Sequence, residues 1–158
     1  MTRLSPKTLG VMKAYAFIAL FLFISGAAWA QSLADVQQSH IEANVPPSED
    51  FDGLLQRDLL AYFRSSGAPT ATRVEYQLLR SGPTQSGVAF PKYYLWARVS
   101  SGPTLLVEGA VRVAAMERKR FEVKNFMSKD AVRAAPSDVG TIFPAALAPA
   151  VLSLAGIK

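Results

Sequence analysis

The clearest apolar periodicity in the chain follows Pro46-Pro47 and predicts a helix. Apolar residues recur there at spacings of three and four, which gathers them on one helical face. These residues are Phe51, Leu54, Leu55, Leu59, Tyr62 and Phe63. Ser48 is a suitable N-cap, and Gly67 stands where a C′ glycine ends a helix. We therefore expect a helix from Ser48 to about Phe63.

Four segments that alternate apolar and polar residues or are rich in aromatics follow, and they predict strands. They cover residues 72–80, 92–100, 104–116 and 120–127. Short connections between them favour antiparallel hairpins, and Gly109 inside the third segment indicates a bulge. After Met127 the chain becomes helical again, with Ser128 as a cap for a short helix. Pro149 lies inside the apolar stretch 144–155, so we expect a kinked or two-piece helix there.

This order of elements predicts an α+β fold, in which an N-terminal helix packs on a curved four-stranded antiparallel sheet and a short C-terminal helical region follows. Over about residues 48–127 it resembles the cystatin-like and NTF2-like superfolds, where a curved sheet wraps a helix. The resemblance rests on element order. Because those folds host enzymes, inhibitors and scaffolds, it implies little about function.

The first 30 residues have the order of a secretory signal peptide. A basic start is followed by an apolar run over residues 14–24 and by the small-residue motif Ala28-Trp29-Ala30. We predict cleavage after Ala30, a periplasmic or secreted protein, and no stable membrane anchor after cleavage. The alternative is an uncleaved anchor, but a spanning helix needs about 20 apolar residues, slightly more than this stretch offers. Residues 31–47 are then a polar lead-in or linker, and residues 48–158 form one domain.

Composition excludes several classes of function. The chain carries a formal charge of +5, but Arg3, Lys7 and Lys13 belong to the predicted signal, and 14 Lys+Arg then face 12 Asp+Glu. A nearly balanced exported domain is not a nucleic-acid binder. The chain has no cysteine and one histidine, so we expect no disulfide and no zinc site.

No motif in the sequence points to catalysis or to a cofactor. His40 is the single histidine, and it lies in the polar lead-in, where nothing would orient it as a general base. Gly-x-Ser-x-Gly and glycine-rich phosphate loops are missing. NTF2-like enzymes use acids and aromatics inside the cone of the sheet, so that resemblance implies Glu75, Tyr76 and Glu108 as pocket candidates. We expect no catalytic residue, no metal and no cofactor.

Binding is the better-supported class. Tyr93, Tyr94 and Trp96 share one predicted strand, and alternation places Tyr93 opposite the other two. They form either a partly exposed contact surface or the core of a sheet covered on both faces. The basic run Arg118-Lys119-Arg120 at a hairpin tip is a second candidate contact.

The sequence thus predicts an exported, non-enzymatic binding or adaptor protein that acts on an envelope protein or an anionic envelope component. One alternative is a small-ligand-binding protein or an NTF2-like enzyme with a pocket between helix and sheet. Another is an inhibitor of a secreted hydrolase that uses the loop over residues 81–91.

Overall fold

The structure, a computed structural model, describes residues 33–87 and 89–157. The predicted signal peptide and its cleavage after Ala30 lie outside the described residues. The chain divides into two compact units, Met1–Gln38 and Ser39–Lys158. No helix among the described residues is both long enough and apolar enough to cross a membrane.

Residues 33–44 are helical, and this helix is named α1. The sequence predicted a polar lead-in or linker over this stretch. Its side chains are mostly exposed, so their polarity reflects contact with water and not a lack of regular structure. Near its end the buried Asn44 donates its side-chain amide to the His40 carbonyl (2.8 Å).

The remaining elements confirm the α+β class. In chain order they are α2 (Ser48–Ser65), β1 (Arg73–Leu78), β2 (Lys92–Ser101), β3 (Thr104–Met116), β4 (Arg120–Ser128), α3 (Lys129–Ala134), a 3-10 turn (Pro136–Asp138), α4 (Val139–Ile142), a second 3-10 turn (Ala145–Leu147) and α5 (Ala148–Ala155). Helix α2 begins one residue earlier than an N-cap at Ser48 would allow, with Pro47 at the cap position. At the C-terminal end of α2, Gly67 has a positive φ of 127°, and the Ala68 N–H donates to the Phe63 carbonyl. Gly67 is therefore the C′ glycine that the sequence predicted.

The four strands form one curved antiparallel sheet in the order β1-β2-β3-β4. Gly109 pairs regularly with Ala97 and Ser128, so the expected bulge at Gly109 is wrong. The register shifts lie elsewhere, between Val99 and Ser100 on β2 and between Arg112 and Val113 on β3. Gly109 is needed for a close approach instead, because a Cβ there would stand 2.7 Å from the Ser128 Cα and closer still to the Met127 carbonyl oxygen.

Helix α2 covers one face of the sheet. Its buried side chains Leu55, Leu59 and Phe63 pack on alternate residues of the central strands. Phe51 adds an edge-to-face contact with Tyr93, whose ring centroid lies 5.0 Å away. This apolar layer fills the space between the helix and the sheet.

The C-terminal elements cover the opposite face. Tyr94 and Trp96 pack there with apolar residues of α3 to α5, among them Phe143 and Val151. Ser128 caps α3 by accepting the Ala131 N–H (3.2 Å), as predicted. The terminal stretch is a two-piece helix, also as predicted, because Pro149 is tolerated only in the first turn of α5.

Candidate functional site

The β3–β4 hairpin ends in a turn with an uncommon backbone. Glu117 and Arg118 both have positive φ, 55° and 59°. The Lys119 N–H donates to the Met116 carbonyl (3.1 Å) and closes the turn. Positive φ at both central residues is the arrangement of a type I′ turn, which normally uses Asn and Gly. A left-handed residue with a long side chain costs on the order of 1 kcal/mol or more, so the surroundings must hold this turn.

Asn44 at the end of α1 holds the turn from one side. Its carbonyl accepts the Arg118 N–H (2.9 Å), and its side-chain oxygen accepts the Glu117 N–H (3.2 Å). Asn44 is the one polar residue among the buried side chains of the described chain. Both strained residues therefore have their backbone N–H groups bound by a single buried residue.

Helix α2 holds the turn from the other side. Arg57 donates through Nη2 to the Lys119 carbonyl (2.9 Å) and through Nε to Asp58 (2.7 Å). Asp58 in turn accepts the Phe121 N–H at 2.6 Å. Two helices thus fix the backbone from Glu117 to Phe121 while the side chains between them stay free.

The side chains of Arg118, Lys119 and Arg120 are exposed at this tip. None of the three forms an ion pair with a residue that the structure describes. Nearby Lys124 differs, since it pairs with Glu122 at 2.7 Å. The structure therefore places the three predicted basic contact residues together, on a rigid backbone with their charges available.

The aromatic residues of the predicted contact surface are buried. Tyr93, Tyr94 and Trp96 are each only 4–5% exposed. Alternation does separate Tyr93 from the other two, but α2 covers its face and the C-terminal helices cover the other. Of the two alternatives, an exposed contact surface or a sheet covered on both faces, the structure shows the covered sheet.

The three pocket candidates do not converge on one cavity. Tyr76 points towards α2 and donates its hydroxyl to Asp52. Burial and this hydrogen bond to Asp52 raise the pKa of Tyr76. Glu75 lies on the opposite face, is exposed, and pairs with Arg73 at 2.7 Å.

Glu108 shares the face of Glu75 but is committed to an ion-pair cluster. Lys129 approaches it to 2.5 Å and Arg98 to 3.6 Å. The hydrogen bond from Lys129 lowers the pKa of Glu108, and weaker contributions from Trp96 and Arg98 act in the same direction. A carboxylate held ionised by two cations acts as a structural anchor and is unsuited to a general-base role.

Three further observations concern the pocket, the metal site and the loop considered in the sequence analysis. A depression of about 440 Å³ lies at the rim between α2 and β1, bordered by Arg57, Leu60 and Val74. The described residues contain no cluster of three or more acids or histidines that could hold a metal ion. In the loop after β1, Thr84 exchanges two backbone hydrogen bonds with Lys92 (2.8 and 2.9 Å), which ties the loop to the sheet.

Sequence reasoning located the basic tip but missed what fixes it. A tight connection at residues 117–119 was expected, whereas positive φ at Glu and Arg has no sequence signal. Asn44 was assigned to the linker, and its contacts with the turn join residues more than 70 positions apart.

Comparison with protein-family models, with curated proteins and with solved structures gave no match. The resemblance to cystatin-like and NTF2-like folds therefore stays a prediction from element order. The functional argument rests on the contacts described above.

Proposed function

We propose that this chain is an exported, non-enzymatic binding or adaptor protein that contacts an acidic partner in the cell envelope through Arg118, Lys119 and Arg120. The single observation that carries the proposal is the strained basic turn held between α1 and α2. Strained backbone persists where surrounding contacts over-determine it, and such positions cluster at functional sites.

Rigidity makes the tip suited to recognition. A flexible lysine or arginine run loses conformational freedom on binding, whereas here the backbone is already fixed before contact. Three cations at one hairpin tip, none of them paired with a residue in the described part of the chain, also favour fast association with a negatively charged surface. The partner is accordingly an envelope protein with an acidic patch, or another anionic envelope component.

A pocket enzyme receives less support. Apart from the depression at the rim, the core fills the space between α2 and the sheet. Tyr76 points towards α2, whereas Glu75 and Glu108 lie on the opposite face and are each held in ion pairs. An inhibitor acting through residues 81–91 would need a loop presented away from the sheet, and Thr84 instead pairs with Lys92.

Capture in the producing cell tests the proposal. The full chain with a C-terminal tag is cross-linked in the envelope, as wild type and as an Arg118→Glu/Lys119→Glu variant. Arg73→Glu/Arg80→Glu, an equal charge change at exposed positions near the other edge of the sheet, is the matched control. We expect one dominant partner that the tip variant loses and the control keeps. An empty capture, or equal loss in both variants, would contradict the proposal.

Export is tested separately, by the N-terminal sequence of the protein recovered from the envelope. Processing after Ala30 gives Gln31 as the first residue. A protein that still begins at Met1 would refute cleavage.

A further inference from the structure

The two residues of the β3–β4 turn with positive φ depend on one residue of α1. The N–H groups of Glu117 and Arg118 are both bound by Asn44, one through its side-chain oxygen and the other through its carbonyl. The contacts from α2 begin one residue later, at the Lys119 carbonyl, and continue to the Phe121 N–H. Loss of the Asn44 contacts would therefore free the left-handed pair while the rest of the turn stays attached to α2.

The turn has a second conformation within reach. Its closing hydrogen bond, from the Lys119 N–H to the Met116 carbonyl, is common to a type I′ turn and to its mirror image, the type I turn. The twist of the flanking strands favours type I′. Glutamate and arginine favour type I, which has negative φ at both central residues in place of the observed 55° and 59°. These opposed preferences make the turn a two-state element that contacts from outside can bias.

The segment that supplies Asn44 is lightly attached, and we name residues 40–45 the latch. Asn44 is the one buried residue of these six, and Val45 packs at the margin of the core. Docking also buries Nδ1 of His40 with no hydrogen-bond partner among the described residues, which costs free energy. The helix to which the latch belongs spans residues 33–44, and a helix of about this length is marginal in water without packing. Detachment should therefore also open the helical hydrogen bonds of the latch.

We propose that the latch switches the basic tip between a held form, in which Asn44 binds the left-handed Glu117 and Arg118, and a released form, in which the latch detaches and both residues take negative φ. The switch changes the direction in which Arg118 leaves the turn, and with it the arrangement of the three cations. As a control of binding, it rests on the function proposed for the tip. By linkage, a partner that prefers the held tip should protect the latch, and loss of the latch should weaken binding of that partner.

Amide hydrogen exchange on the full chain tests the latch in the absence of any partner. The double substitution Glu117→Asn/Arg118→Gly makes the left-handed turn favourable by itself, so that release no longer relieves strain. Exchange at residues 41–45 should then slow at least about fivefold, although these residues lie more than 70 positions away in sequence. If the turn were left-handed in both forms, the substitution would not change exchange in the latch.

Glu117→Gln/Arg118→Gln is the matched control. It removes the same two charges but introduces no residue that favours positive φ, so exchange at residues 41–45 should match wild type. Asn44→Ala acts in the opposite direction, because it removes the acceptor of the Glu117 N–H, and exchange in the latch should accelerate. Circular dichroism and urea unfolding check that each variant is folded.

Three results would overturn the proposal. The first is exchange at residues 41–45 as slow as in the buried core of α2, because the latch would then open only with the whole domain. The second is unchanged exchange in the Asn-Gly variant. The third is the same change in the Asn-Gly and Gln-Gln variants, which would trace the effect to charge and not to the backbone.

The envelope capture separates this proposal from the function proposed for the tip. Asn44→Ala keeps Arg118, Lys119 and Arg120, so a loss of captured partner in this variant would show that the latch controls binding. Equal capture by wild type and Asn44→Ala would refute that control. If wild type captures no partner, the function proposed for the tip fails, and hydrogen exchange alone decides whether the latch exists.

Discussion

Substituting Gly109 by alanine should destabilise the fold through a clash that no side chain can relieve. The added Cβ would lie 2.7 Å from the Ser128 Cα and 2.9 Å from a ring carbon of Phe126, and closest of all to the Met127 carbonyl oxygen. Optimal carbon–carbon contacts are about 3.5–4.0 Å, so the backbone of β4 must move by roughly 1 Å. Overpacking of this kind costs about 1–3 kcal/mol, and a disturbed ladder hydrogen bond adds about 1 kcal/mol. The intrinsic gain of alanine over glycine offsets about 0.5–1 kcal/mol, which leaves a loss of about 1–3.5 kcal/mol.

Urea unfolding followed by circular dichroism measures this loss. With an m-value of about 2 kcal/mol/M, the unfolding midpoint should fall by about 0.5–1.7 M at unchanged m. Gly53→Ala is the matched control, because Gly53 is exposed inside α2 and a Cβ there meets nothing within 4 Å. That substitution should raise stability by about 0.5–1 kcal/mol. A Gly109→Ala variant as stable as wild type would refute the close-approach argument.

Three further predictions concern the basic turn and the ion-pair cluster. Replacing Glu117-Arg118 by Asn-Gly should stabilise the protein by about 1–2 kcal/mol, because both residues have positive φ; a lower unfolding temperature would contradict the assigned strain. Asn44→Ala should cost about 1–3 kcal/mol in urea unfolding, since it removes the side-chain oxygen that accepts the Glu117 N–H, and hydrogen exchange at residue 117 should accelerate more than at residue 118, whose N–H keeps the backbone carbonyl of residue 44; unchanged exchange at residue 117 would contradict the role given to the Asn44 side chain. Glu108→Gln should cost about 0.5–1 kcal/mol at pH 7. Because Lys129 lowers the folded-state pKa of Glu108 below its usual 4.5, the difference should shrink as the pH falls through that lower value; a cost that does not change between pH 7 and pH 3 would exclude the ion pair as its cause.

The main elements of the fold could be predicted because their signals are local. The three- and four-residue spacing from Phe51 to Phe63 specifies α2, and the period-two pattern specifies β1. Ser128 and Pro149 act within one turn of their own position, so their effects were predicted correctly. The helix at residues 33–44 was missed because its surface is mostly polar and its apolar residues Leu33 and Val36 are themselves exposed, so they mark no buried face.

Features that depend on distant contacts were not predictable. Tyr93, Tyr94 and Trp96 alternate in the same way whether a sheet face is covered or open, so their burial depends on the C-terminal helices. Gly109 has the same sequence signature for a bulge and for a close approach of backbone. At the candidate site, the identity of the basic residues could be read from the sequence, but their rigid presentation depends on Asn44 and Arg57.

The helices that pack on the two faces of the sheet are synthesised at different times, α2 before the strands and the C-terminal helices after them. Helix α2 precedes the strands and packs mainly against β4, which ends at Ser128, so this face can close once β4 has been made. The other face waits for the last 30 or so residues of the chain. Any chain that is truncated or clipped after β4 would retain a paired sheet whose Tyr94, Trp96 and Met127 face water as a continuous adhesive surface. Loss of the C-terminal elements should therefore favour aggregation.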